Sequence, residues 1–168
     1  MRFAVILFAL LFFLPLNAEA KVYSKYDSFD NSQKVYSLVY DLGFFDKSLF
    51  TKFYPRPNKP DDVTMYLLSL TKISFKEWYF FSPKGSAVKI DGEIQELSTI
   101  DVSRDYKSTS YKPEMITSVM LNLTPLADKI KTAQTVVFRI YFDNQASVDL
   151  VLPDAVLAEW KEVINTEK

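Results

Sequence analysis

This chain of 168 residues contains no cysteine, no histidine and only three glycines. Each shortage removes a class of chemistry. Without thiols there is no disulfide framework, so a small domain has to be held by packing alone. Without cysteine or imidazole there is no common zinc site, no Cys-His or Ser-His-Asp triad and no histidine general base. Gly43, Gly85 and Gly92 are never clustered, which excludes the glycine-rich phosphate loops of the Walker and dinucleotide kinds. Charge of one sign is lacking too: 20 Lys and Arg against 21 Asp and Glu give a net charge of −1. That balance argues against a general nucleic-acid binder and against a polybasic membrane-surface protein. No cofactor and no metal site is expected.

What the chain has in abundance is rings: 14 Phe, 10 Tyr and 2 Trp. Each buries a large area, which is how a cysteine-free domain of this size can assemble an adequate core. The N-terminus has its own pattern: Met1-Arg2, an unbroken apolar run over residues 3–14, Pro15, then Ala18-Glu19-Ala20. A basic start, a short apolar segment and small residues at minus three and minus one are the parts of a cleavable signal peptide. About 20 apolar residues are needed to cross a bilayer, and this run is shorter. Cleavage between Ala20 and Lys21 is therefore expected, leaving residues 21–168 as one domain with no stable membrane anchor. No cysteine follows the run to carry a lipid. The expected location is periplasmic or secreted.

Residues 21–27 and 34–42 read as a strand hairpin around Asp30-Asn31-Ser32. Asp46 is placed to cap a short helix running to Tyr54, with Leu49, Phe50 and Phe53 on one side. The run 55–62, with three prolines, reads as an extended exposed connector. Residues 63–75 carry apolar side chains at both parities, which predicts a central strand covered on both faces. Residues 78–81 read as a further apolar strand. Asp91-Gly92 is the strongest short hairpin signal in the chain. A three-residue loop that pairs Lys89 with Glu93 and Val88 with Ile94 matches charge with charge and apolar with apolar, and is preferred. Residues 99–110 read as an edge strand followed by a mobile loop through Pro113.

The C-terminal third is clearer. Residues 115–123 read as a strand, Thr124 as an N-cap and Pro125 as the first helical position, with Leu126 and Ile130 in a buried stripe. Phe138, Ile140 and Phe142 alternate with Arg139 and Tyr141. After a turn at 143–145, Ala146, Val148, Leu150 and Leu152 return on one face. Val156, Leu157, Trp160, Val163 and Ile164 then form a single helical stripe. The expected fold class is α+β: one domain, mostly antiparallel sheet, ending in a strand-helix-strand-strand-helix unit.

Candidate sites are sparse. Asp27, Asp30 and Asn31 share a turn and Asp61-Asp62 follow the prolines, but an EF-hand loop counted from Asp27 puts Ser32 where glycine is required and Leu38 where glutamate is required. They read as turn residues. Glycosidase chemistry needs two carboxyl groups and no histidine, so Glu93, Glu96, Asp101 and Asp105 are the acid pool for a small carboxylate-dependent hydrolase of envelope polysaccharide. Serine with lysine, as in Ser82-Pro83-Lys84 or at Ser48, reads as surface turn chemistry rather than a nucleophile pair. Asn122-Leu123-Thr124 matches the glycosylation sequon, a role unused in a bacterial host. The aromatic runs 44–54 and 78–81 are core material in the main, with Tyr54 and Tyr79 expected at the surface. The leading expectation is an exported bacterial binding or interaction module without catalysis. Its protein or glycan ligand would be met by Tyr54, Tyr79 and Arg56, with aromatic residues near the 44–60 segment and residues 99–113 as the contact region.

Overall fold

The computed structural model describes residues 21–168 apart from 76 and 109–112. The expected signal segment and the expected mobile loop before Pro113 therefore lie outside the described residues. Those described form ten strands: β1 (Lys21–Asp27), β2 (Ser32–Leu42), β3 (Phe45–Phe53), β4 (Met65–Ser74), β5 (Ser86–Ile90), β6 (Glu93–Leu97), β7 (Thr99–Ser108), β8 (Pro113–Asn122), β9 (Val136–Tyr141) and β10 (Ser147–Val151). A 3-10 turn (Thr124–Leu126) leads into α1 (Ala127–Thr132), and α2 (Asp154–Asn165) ends the chain. No helix among the described residues is long and apolar enough to cross a membrane.

Two antiparallel sheets result. One has six strands in the order β1-β2-β3-β4-β8-β7, the other four in the order β10-β9-β5-β6. The chain builds the first by meander, leaves it for the β5–β6 hairpin, returns for β7 and β8, and finishes the second sheet with β9 and β10. This is a single α+β domain, and the C-terminal strand-helix-strand-strand-helix order is as read from the sequence.

Alternation explains how the layers meet. On the large sheet Val35, Ser37 and Val39 of β2, Ser48 and Phe50 of β3, Leu68 and Leu70 of β4, and Val119 and Leu121 of β8 all face inward and are buried. On the small sheet Val88, Phe138, Ile140 and Leu150 do the same. The helix α2 lies between them along β1, β2 and β3. Its Trp160 stacks on Phe50 with ring centroids 4.4 Å apart and meets Phe138 at 5.8 Å, so one side chain joins both sheets and the helix.

Several local expectations yield to this arrangement. The expected helix from Asp46 to Tyr54 is strand β3, because β2 and β4 offer hydrogen-bond ladders on both sides of it. Asp46 accepts the Ile73 N–H at 2.7 Å and pairs with Lys72 at 3.1 Å, so its carboxylate ties β3 to β4 instead of capping a helix. Residues 78–81 are not a strand. Only Phe81 bridges, to Phe142, because this segment crosses from one sheet to the other and cannot ladder with either. The strand expected over 63–75 is central, yet only its inner face is fully buried.

The β5–β6 hairpin takes the two-residue loop: Asp91 and Gly92 both have positive φ, 48° and 95°, and Ile90 lies opposite Glu93. Such a turn matches the twist of the strands. The Asp91 carboxylate also accepts the N–H groups of Gln134 and Thr135 at 2.8 and 2.7 Å, which clasps the hairpin to the segment before β9. Cross-strand pairs worth a few tenths of a kcal/mol to ~1 kcal/mol do not outweigh both. Ile94 is left 71% exposed as a result. Thr124 is not an N-cap either, since its hydroxyl accepts the Tyr66 N–H at 3.0 Å and anchors β4.

A pH effect arises from the same helix. Glu159 on α2 accepts the Ser37 hydroxyl at 2.8 Å. Burial pushes its carboxyl above the usual value, only partly opposed by that hydrogen bond. A raised carboxyl binds its proton more tightly in the folded chain, so its contribution to stability is complete below the unfolded pKa and is lost as pH rises through the folded one. Glu159→Gln is therefore expected to be more stable than the native protein at pH 7, with the gain shrinking to nothing as pH falls below the range in which carboxylates titrate. Urea midpoints measured at both pH values check this, and an equal gain at both would contradict it.

Candidate functional site

Strand direction sorts the loops onto two rims. β2 turns into β3 at Gly43, and the 75–85 crossover and the 143–146 turn gather at that rim. The 28–31 turn, the proline connector and the C-terminus of α2 lie at the other. The nine residues of β3 separate the two by about 30 Å.

Tyr54 and Arg56 sit at the proline rim and Tyr79 at the Gly43 rim, so the three residues expected at a contact surface are not brought together. Tyr54 and Arg56 do share a hollow of about 380 Å³, bordered also by Asp30 and Asp62. Tyr54, expected at the surface, is only 8% exposed. Its hydroxyl donates to the Thr166 carbonyl at 2.6 Å and its ring lies 4.9 Å from the Lys52 ammonium, so it closes the end of α2. Arg56 is engaged by Asp62 through Nε and Nη2 at 2.5 and 3.0 Å. That hydrogen bonding holds the Asp62 carboxyl below its usual value and raises the guanidinium above its own. The pair folds the connector onto itself.

The Gly43 rim is different. Tyr79 is half-buried, its hydroxyl donates to Glu77, and that bond raises the phenol above its usual pKa. Its ring packs against Phe44 at 4.9 Å and Phe142 at 5.6 Å. Three separate hollows lie at this rim, neighbours through shared lining residues. One of about 560 Å³ is bordered by Lys72, Phe75 and Tyr79. The next, about 320 Å³, shares Tyr79 and adds Trp78 and Phe80. The largest, about 680 Å³, shares Phe142 and Asp143 with the second and is bordered by Lys84, Glu96 and Tyr141.

Specific contacts fix the walls of these hollows. Arg104 of β7 lies 4.5 Å over the Phe80 ring and pairs with Asp143 at 2.7 Å, so one guanidinium fastens the crossover and the 143–146 turn to the edge of the large sheet. Gly85 has φ +104°, and a Cβ there would stand 2.6 Å from the Leu97 carbonyl oxygen. Only glycine lets the wall of the largest hollow approach β6 so closely. Trp78 remains 54% exposed at the second hollow, edge-on to Phe80 at 6.5 Å.

The acid pool is dispersed: Glu93 and Glu96 lie on β6, an edge of the small sheet, while Asp101 and Asp105 lie on β7, an edge of the large one. Glu93 pairs with Lys129 at 3.0 Å. Glu96 and Asp143 do border the same hollow, but both are exposed, whereas a general acid works best from a dry surround. Two Ser-x-x-Lys spacings, Ser69 to Lys72 and Ser86 to Lys89, fall on β4 and β5. An i, i+3 pair on a strand points to opposite faces, so neither forms a nucleophile pair. The sequence offers Trp78 within the aromatic run and Lys84 in the turn after it, but not that Asp143 stands beside both. The signal was a breaker, Ser82-Pro83-Lys84-Gly85, set directly against an aromatic run. No family model, no curated protein and no solved structure matches this chain, so the site is judged on its geometry and chemistry.

Proposed function

We propose that this protein is an exported binding module, periplasmic or secreted, that engages a glycan strand along the Gly43 rim without transforming it. The observation that carries this reading is a pair of adjoining hollows that share Phe142 and Asp143, one bordered by the exposed Trp78 and the other by Glu96, Lys84 and Tyr141. Sugar rings present apolar faces to aromatic planes and hydroxyls to such polar groups. Export is supported by the pattern of residues 1–20, and the absence of histidine and cysteine favours binding over catalysis.

The two tryptophans supply the test. Trp160 is fully buried and Trp78 is exposed, so ligand seated at these hollows shifts the emission of Trp78. Titration with a panel of β-linked oligosaccharides is expected to give a saturable shift, and Trp78→Ala is expected to weaken binding at least about tenfold, the scale of an interface anchor. Saturable binding that survives Trp78→Ala unchanged removes this surface from consideration.

A second reading, a small polysaccharide hydrolase, is kept by one fact: Glu96 and Asp143 border the same hollow. Release of shortened oligosaccharides that is abolished by Glu96→Gln would establish it in place of simple binding.

A further inference from the structure

The face of the six-stranded sheet that points away from the core has a distinct composition. Register puts Lys21, Leu38, Leu49, Ser69, Met120 and Asp101 in one row across all six strands. Ile73 of β4 lies opposite Ile116 of β8 in another, with Asp105 next to them on β7. The face is thus mixed: apolar Leu38, Leu49, Met120, Ile73 and Ile116 are interleaved with the row Lys47, Thr71 and Ser118, and Tyr23, Tyr40 and Met65 on the face are exposed. Both α2 and the small sheet pack on the opposite face.

The charges on this face are segregated. Lys25, Lys34 and Lys47 occupy the β1–β3 side, where Asp27 is the acid, and Asp101, Asp105 and Glu114 occupy the β7–β8 side, where Lys107 is the base. Lys25 stands directly opposite Lys34, a like-charge pair that costs stability in an isolated sheet. An acidic surface laid over that side would relieve it.

We propose that this outer face is an interface between two copies of the chain, related by a two-fold axis lying in the interface and parallel to the strands. That axis places the lysine side of each copy over the acidic side of the other and the central strands of one copy over those of its partner. An axis across the strands would set lysine on lysine. The packing is also the aligned one that stacked sheets adopt. Six strands at about 4.8 Å spacing and some eight residues of strand length give a face of roughly 650 Å² per copy. Doubled, this falls within the range of about 1,200–2,000 Å² buried by specific complexes. Because the axis preserves strand direction, both Gly43 rims point the same way. If the glycan reading above holds, the pair presents two sites to one multivalent ligand.

Charge exchange tests the pairing independently of any ligand. The full chain, expressed with its own N-terminal segment, is followed by sedimentation equilibrium over a concentration series. The native protein is expected to dimerise. Lys25→Glu with Lys34→Glu is expected to weaken dimerisation at least about tenfold, and Asp101→Lys with Asp105→Lys to do the same. An equimolar mixture of the two variants is expected to recover dimers, because each swapped patch then meets its complement. Circular dichroism matching the native protein shows that each variant is folded. A native chain that stays monomeric throughout, or variants that weaken without mutual rescue, overturns the proposal.

Discussion

Trp160→Ala is expected to lower the free energy of unfolding by about 3–5 kcal/mol, the cost of truncating a fully buried indole in a core. A domain of this size has only about 5–15 kcal/mol in total. The effect is large because the side chain is shared: it stacks on Phe50 of the large sheet, abuts Phe138 of the small one and belongs to α2. Its removal leaves a cavity that none of the three layers can close without parting from another. Trp160→Phe makes a sharper comparison. The indole Nε1–H is buried without a hydrogen-bond partner among the described residues, so phenylalanine retains much of the stacking and removes an unsatisfied donor. It should lose less than half as much as alanine. Urea denaturation of the three proteins measures this, and equal losses for Ala and Phe would show that the indole's size is not the cause.

Lys52→Met is expected to cost about 2 kcal/mol and to fray the last turn of α2. The Lys52 ammonium is buried, donates to the Ile164 and Thr166 carbonyls at 2.8 Å each, and lies 4.9 and 5.7 Å from the Tyr54 and Tyr66 rings. The last carbonyls of a helix have no partner within it and carry partial negative charge. A buried cation reaching them from β3 therefore satisfies two acceptors at once and fastens the helix to the sheet. Each bond from a charged donor contributes about 1.5–3 kcal/mol, offset in part by the cost of taking the ammonium out of water.

Burial lowers the Lys52 pKa and raises those of Tyr54 and Tyr66. A lowered lysine contributes stability that grows as pH rises from the folded toward the unfolded pKa. Raised phenols contribute stability that is complete below their unfolded pKa and is lost as pH climbs through the folded one. The variant keeps only the second effect, so its stability should fall more steeply as pH climbs through and beyond the usual phenol range. Hydrogen exchange at Asn165 and Thr166 together with alkaline denaturation tests both points, and a variant matching the native protein in each would remove Lys52 from this role.

This lysine was invisible in the sequence, where Thr51 and Lys52 fall off the Leu49, Phe50 and Phe53 side of the expected helix. The apolar spacing of Leu49, Phe50 and Phe53 suits either a helix or a strand. The competing ladders from β2 and β4 decided it, and once β3 is a strand, Lys52 shares the inner face with Phe50 and meets the end of a helix more than a hundred residues later. The three expected contact residues are set apart for a related reason. Tyr54 follows Lys52 inward by alternation and is buried, while Tyr79 lies on a crossover whose position depends on both sheets. No local property of residues 78–81 states that only Phe81 will pair. The β5–β6 register was legible only in part: Asp91-Gly92 announced the hairpin, but the clasp to Gln134 and Thr135 that holds its two-residue loop comes from a distant segment.

By itself the sequence determined what depends on neighbours along the chain. The α2 stripe, the β9 and β10 alternation, the turns at 28–31 and 143–145, and the chemistry excluded by missing histidine, cysteine and clustered glycine all follow from short-range spacing or from composition. Only the tertiary structure decided which strands pair, which rim each loop joins and which rings are buried. Periodicity says that a segment has a buried face; the partner that covers this face is chosen by contacts between residues far apart in sequence, where the free energy of burial is won or lost.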